Sequence, residues 1–398
     1  MMKKKLLALL TASVMVLSLA ACGGDSGTTD DTSGTDDTAG TDGSAFKIGV
    51  IGPLTGNNAI YGTCVANSAQ IAVDEINALG GDIQFELLPA ADDVNDAETS
   101  VNAYNSLMDK GMQILVGTVT TQPALSVVPL TYDDRVFTLT PSASGDDVIE
   151  NNDNVFQICF TDSNQGSRSA QYINEHFPDA KIGIIYKNDE QYSIGIRDNF
   201  KAEADARGMD IVYEGTFAEA NQTDFNVQLT AAQSAGADLL FLPIYYTPAS
   251  AILTQANALG YKPTFFGVDG MDGILTADNF DASLAEGVYL LTPFSADAED
   301  EMTQNFVTKY QEAYGGTPNQ FGADAYDAIY TLYQAIQAAG VTADMSNEEI
   351  CDALIEVMPT ISVTGLTSAG SEMTWDANGA VSKDPTAVII ENGTYVTP

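Results

Sequence analysis

From residue 46 onward the sequence alternates, almost without a break, between two periodicities. Apolar, β-branched runs stand at 47–52, 83–88, 112–117, 136–140, 154–160, 181–186, 209–214, 238–243, 264–268 and 287–292. Several, such as IGIIY at 182–186 and LLFLPI at 239–244, are continuously hydrophobic, as strands covered on both faces must be. Between the runs lie stretches with helical spacing. Ala66–Ala78 sets Ala69, Ile71, Ala72 and Ile76 along one broad face, and Gly80-Gly81 stops it. Residues 224–235, 249–259, 299–314 and 323–339 behave in the same way. Such alternation specifies an α/β protein with parallel sheets flanked by helices. So many strands over roughly 250 residues exceed one ordinary sheet, and two sheets in two lobes are expected. The polar stretch Asp162–Gly166 suits a first crossing between lobes, and Thr292-Pro293 a second. Near the C-terminus, TWDANGAVSK and TAVIIENGTYV read as short strands joined by Asn-Gly turns. They predict a small antiparallel addition to one lobe, entered by a third crossing near Ser362–Gly365.

The two lobes are expected over 46–162 with 294–363, and over 163–293 with 364–398. Residues 1–21 read as a targeting segment: Lys3, Lys4 and Lys5 precede an apolar run from Leu6 to Ala20. That run is shorter than the roughly 20 residues a spanning helix needs. It ends in Leu19-Ala20-Ala21-Cys22, which resembles the lipobox of bacterial lipoproteins. The resemblance implies lipidation of Cys22 and anchoring of the chain to a membrane by acyl chains; the other reading is an ordinary secretory signal with an incidental cysteine. Residues 22–45 then form a tether of Asp, Thr and Gly, without apolar residues to seed a core or the spacing of a calcium loop.

Composition and motifs exclude more than they assign. The formal net charge is −40, and cleavage ahead of Cys22 would remove three lysines and no acid. Such a field repels phosphate backbones, which argues against a nucleic-acid partner, and favours solubility. Cys64, Cys159 and Cys351 stand singly, and His176 is the one histidine, so neither a metal site nor a Cys-His or Ser-His-Asp mechanism is indicated. The three cysteines read as small buried hydrophobes. The loop GVIGPLTG at 49–56 carries neither GxGxxG nor GxxxxGK[ST], and Asp92-Asp93 mimic a ribose-binding position without the fingerprint that should accompany it. PSASGDD at 141–147 is not a nucleophile elbow. No cofactor and no enzymatic activity are expected.

What recurs is a set of hydroxyls, tyrosines and small residues just past the carboxyl ends of the expected strands, where open α/β sheets bind ligands. These are Tyr61, Thr118 to Thr121, Ser142-Ala143-Ser144, Tyr192, Tyr245-Tyr246 and Asp269. Turn residues favour Ser and Thr in any case, so the common location carries the inference rather than any single residue.

Taken in order, KIGVIGPLTGNNAIYG, AVDEINALGG, VGTVTTQPA, TPSAS, KNDEQYSIG, FFGVDG and the closing VTGLT with TWDANG resemble the solute-binding proteins of branched-chain amino acid ABC transporters, the leucine–isoleucine–valine-binding type. The resemblance runs from about Phe46 to Pro398. It implies a two-lobed type I periplasmic-binding fold with three hinge strands. It also implies an extracytoplasmic receptor that delivers a small amino acid, first of all an aliphatic one, to ABC permease and ATPase subunits, as a monomer. The ligand carboxylate would be held by a hydroxyl and backbone amides at Thr118, Ser142, Ala143 and Ser144, with Thr120 in place of Thr118 if the loop is short. Asp269 would hold the ammonium, where the family commonly has glutamate. Tyr192 and Tyr245 match second-lobe tyrosines, Tyr61 the aromatic leaning over the ligand side chain, and Phe321 an apolar position at the side-chain pocket. Gly52, Gly56 and Gly62 would then serve turn geometry that brings Tyr61 to the cleft. A ligand-sensing receptor, a binder of amides or other small organic acids on the same fold, and an enzyme on a two-lobed scaffold are the alternatives.

Overall fold

A computed structural model describes residues 45–368 and 370–398; the targeting segment, Cys22 and the tether as far as residue 44 lie outside the described residues. The first strand, β1 (Phe46–Gly52), is followed by α1 (Ala59–Ala78), β2 (Phe85–Leu87), β3 (Ala91–Asp92), α2 (Ala97–Met108), β4 (Ile114–Gly117), α3 (Thr121–Asp133), β5 (Phe137–Thr140), α4 (Asp146–Ile149) and β6 (Val155–Gln157). These strands form one parallel sheet in the order β2-β1-β4-β5-β6, with β3 also pairing β1.

After a first crossing the chain builds α5 (Asp162–His176), β7 (Lys181–Lys187), α6 (Gln191–Arg207), β8 (Asp210–Phe217), α7 (Asn226–Ala235), β9 (Leu239–Leu242), α8 (Tyr246–Leu259), β10 (Thr264–Gly267) and β11 (Tyr289–Thr292). It then returns through α9 (Glu301–Tyr314), α10 (Gln320–Ala339) and α11 (Asn347–Val357), and ends in β12 (Thr386–Glu391) and β13 (Thr394–Val396). The second sheet runs β13-β12-β11-β10-β9-β7-β8, parallel except for the terminal hairpin, as the Asn-Gly signal foretells. Asn392 and Gly393 both take positive φ, 54° and 74°, the two-residue turn whose twist matches its strands. The central strands are buried along nearly their whole length, β4, β5 and β9 at every residue, which is why their sequences are continuously apolar.

Two boundaries differ from expectation. Helix α1 starts at Ala59, not Ala66, so Tyr61 lies in its first turn rather than on a loop. Gly56 does turn the chain, at φ 85°, but Gly62 serves close approach: a Cβ there would stand 2.2 Å from the Pro53 carbonyl oxygen. The third crossing also comes later, between Lys383 and Thr386. Trp375 Nε1 donates to Gln157 O at 2.7 Å, and Gln157 N donates to Gly379 O at 2.9 Å, so the TWDANG turn closes the β6 edge of the first sheet. Lys383, buried, donates to Asp324 on α10 at 2.8 Å and to Thr367 at 2.7 Å, and pins the chain there before it leaves. The free polar groups of an edge strand need partners, and this segment supplies them.

Cys64, Cys159 and Cys351 are buried free thiols. His176 ends α5 and stacks on Tyr172 with centroids 4.1 Å apart.

Candidate functional site

In the first sheet the chain passes from β1 to β2 on one side and to β4 on the other; in the second it passes from β7 to β8 and then back to β9. At such reversals the loops on the carboxyl edge part and leave a crevice. Tyr61 and Thr118 follow β1 and β4; Tyr192 and Tyr245 follow β7 and β9. The fold thus sets two crevices, one from each sheet, against each other.

Tyr61 is fully buried where they meet. Its hydroxyl donates to Gly270 O and accepts from Tyr246 N at 3.2 Å, both in the second lobe. Its ring stacks on Phe321 at 4.1 Å and meets Tyr245 and Tyr246 edge-on at 5.6 and 5.2 Å. Tyr192 stacks on Tyr245 at 4.6 Å. The Tyr192 hydroxyl donates to Asp269 Oδ1 at 2.5 Å and accepts from Gly270 N at 2.9 Å. Asp269 Oδ2 accepts from Gln320 Nε2 at 3.4 Å, and Asp269 N donates to Gln165 Oε1 at 2.7 Å. Asp272, next in the same turn, accepts from Gln320 N at 2.6 Å. Thr247 Oγ1 adds a bond to Asn57 O at 2.7 Å, so the lobes are in contact at several points.

The charges here are unusual. Burial raises the Asp269 pKa against the bonds from Tyr192 and Gln165, pushes Asp272 up to about 6, and lifts Asp162 well above the carboxylate range. Among the described residues no lysine or arginine forms an ion pair with any of the three. Buried carboxylates without a cation are costly.

The first-lobe hydroxyls divide into two groups. Thr118 Oγ1 donates to Thr120 O at 3.1 Å, Ser142 Oγ to Val119 O at 2.7 Å, and Thr120 Oγ1 to Asn95 Oδ1 at 2.6 Å. Thr140 Oγ1 donates to Thr118 O and receives Ala143 N at 2.9 Å. Thr118, Thr120, Ser142 and the Ala143 amide therefore brace their own loops. Gln165 Nε2 and Gln320 Oε1 are buried with no partner, and the Ser144 hydroxyl faces the buried Asp162 carboxyl, whose pKa it lowers against burial. Asp162 N donates to Ser144 O at 2.8 Å, and Gln165 and Gln320 both bond Asp269, so the two unpartnered amide atoms lie on side chains that meet at Asp269. Native interiors rarely leave such atoms unpaired without a reason. Beside them a cleft of about 380 Å³ opens between the lobes, with Tyr245 on its wall.

Asp162, Gln165, Asp272 and Gln320 are absent from the residues read off the sequence. Asp162 and Gln165 occupy the first turn of α5, in the segment read there only as a crossing, and Gln320 opens α10. Their signal was a polar side chain at the start of a helix entering from a crossing, which caps produce equally often.

The sequence profile of the family described as periplasmic binding protein matches residues 45–384. A Leu/Ile/Val-binding protein from Rhizobium johnstonii is 31% identical over 301 residues, which cover 75% of this chain and 80% of that one. A leucine-binding protein from Thermotoga maritima superposes with a TM-score of 0.77 at 25% identity, covering 89% and 98% of the two chains. The branched-chain amino acid transporter substrate-binding protein from Streptococcus pneumoniae, crystallised with isoleucine, gives 0.78 at 27% identity, covering 89% and 100%.

Proposed function

Since this chain belongs to the periplasmic binding protein family, of the Leu/Ile/Val-binding type, we propose that it is the extracytoplasmic receptor of an ABC importer and takes a free amino acid between its lobes. One observation carries the reading: Asp269, buried without a cation, is bonded by Gln165 and Gln320, each of which keeps a buried amide atom without a partner. An α-ammonium beside Asp269 would supply the missing positive charge, and an α-carboxylate would accept from the Ser144 hydroxyl and the Gln165 amide. Tyr61, Tyr245 and Phe321 would cover the first carbons of the side chain.

In this reading the three crossings act as the hinge. A ligand shifts an open–closed equilibrium only by binding the closed form more tightly. Here that difference comes from groups of both lobes, Ser144 and Gln320 on one side and Asp269 and Tyr192 on the other. The importer's permease would recognise the closed pair of lobes, and acylated Cys22 would hold the receptor at the membrane surface. The aliphatic amino acids named for its relatives are the first candidates.

Titration calorimetry of the purified protein against the proteinogenic amino acids, with benzoate and simple amides alongside, tests the assignment. Saturable one-to-one binding of an amino acid is expected. Binding confined to an organic acid or amide lacking an α-ammonium would remove the pairing with Asp269.

A further inference from the structure

The relatives point first to an aliphatic side chain, and the cleft beside the aromatic set points to a different one. At about 380 Å³ it lies at the low end of the range of small-molecule sites, roughly 300–1,000 Å³. Its wall is not that of an aliphatic slot. Asp189, Glu190 and Glu219 line it against one ammonium, Lys187, and Asn95 and Gln122 add amides from the first lobe.

Glu190 precedes α6 by one residue, two positions before Tyr192. It is only 4% exposed, and its one cationic partner among the described residues, Lys187, is shared with a second carboxylate. The Lys187 ammonium stands 3.8 Å away and is engaged by Glu219 at 2.6 Å. From the other lobe the Asn95 amide donates to Glu190, its own carbonyl oxygen being held by Thr120. An aliphatic side chain here would leave the carboxylate buried against hydrocarbon, which is unfavourable. A cation would complete its bonding and offset the excess of acid. Val94, Phe217 and Ile244 on the same wall suit the methylenes that lead to such a cation.

We propose, resting on the amino-acid receptor reading, that this cleft receives the ligand side chain and that Glu190 selects one ending in an ammonium or guanidinium.

Calorimetry on the full protein would use L-lysine, L-arginine, L-glutamine, L-leucine and L-isoleucine, each with the native protein and with Glu190→Gln. The variant keeps the side-chain shape, and its melting temperature within a few degrees of native would verify folding. Lysine or arginine is expected to bind at least about tenfold tighter than leucine, and Glu190→Gln to shrink that ratio by about tenfold or more, as loss of a charge-assisted bond implies. Tighter binding of leucine, isoleucine or glutamine, with ratios insensitive to Glu190→Gln, overturns the selectivity and leaves the receptor reading intact. Failure of every amino acid to bind would overturn both.

Discussion

At Asp269 the side chain has hydrogen-bond donors on both oxygens but no cation, so the ligand is asked to bring one. Replacing it tests this directly. Asp269→Ala should weaken amino-acid binding by more than about tenfold, the scale of a charged hydrogen bond, and Asp269→Asn should do the same while keeping an acceptor for Tyr192. Calorimetry giving native affinity for either variant would take Asp269 out of the site. The serines of the first lobe offer a paired contrast. Ser142→Ala removes the bond to Val119 O and should lower stability by about 1 kcal/mol in urea melts. Ser144→Ala removes a hydroxyl whose one hydrogen-bonding neighbour among the described residues is the Asp162 carboxyl, so stability should fall less than for Ser142→Ala while affinity falls. The reverse pattern, with Ser142→Ala harmless to the fold and damaging to binding, would exchange their roles.

Among the elements, α5 and α6 deliver most of the second-lobe polar groups: Asp162 and Gln165 from one, Tyr192 from the other, with Glu190 just ahead of it. They pack so closely that a Cβ on Gly166 would stand 2.4 Å from Ile196 O and 2.8 Å from Phe200 N. Those are backbone atoms and cannot turn aside. Gly166→Ala should therefore force the helices apart and cost about 1–3 kcal/mol, read as a lowered melting temperature with weakened ligand binding. An unchanged melting temperature would mean that the pair separates freely. The same close packing explains what periodicity could and could not mark. Strands β7 and β9 were legible because burial on both faces makes a run continuously apolar. The start of α1 was not, because Gly62 reads as a breaker until the Pro53 carbonyl is seen lying against it. The late third crossing was equally hidden: nothing in TWDANG says which sheet edge it will close.

Across the whole molecule, buried acid has a consequence for pH. Burial first of all pushes Asp93, Glu190 and Asp324 up to about 7 and Asp272 up to about 6, from 3.8 for the aspartates and 4.5 for the glutamate. A folded-state pKa raised above the unfolded value gives stability that is complete below the unfolded value and lost as pH rises through the folded one. Self-repulsion at a net charge of −40 acts in the same direction. Asp96 and Asp384, held low by bonds from Thr99 and from Asn164 and Arg168, act oppositely, but only as pH falls below about 4. Calorimetric melting should thus occur at a higher temperature at pH 5 than at pH 8, and the opposite order would refute the raised pKa values of these buried carboxyl groups. The sequence by itself determined the α/β class, the two lobes, the terminal hairpin and the rim of tyrosines and hydroxyls, because strand burial and turn chemistry are local and leave a periodic trace. Only the tertiary structure decided that Gln165 and Gln320 converge on Asp269, and that Glu190 is buried on the cleft wall sharing Lys187 with Glu219. Those facts depend on which polar atoms find partners across long sequence separations, and no local pattern records that.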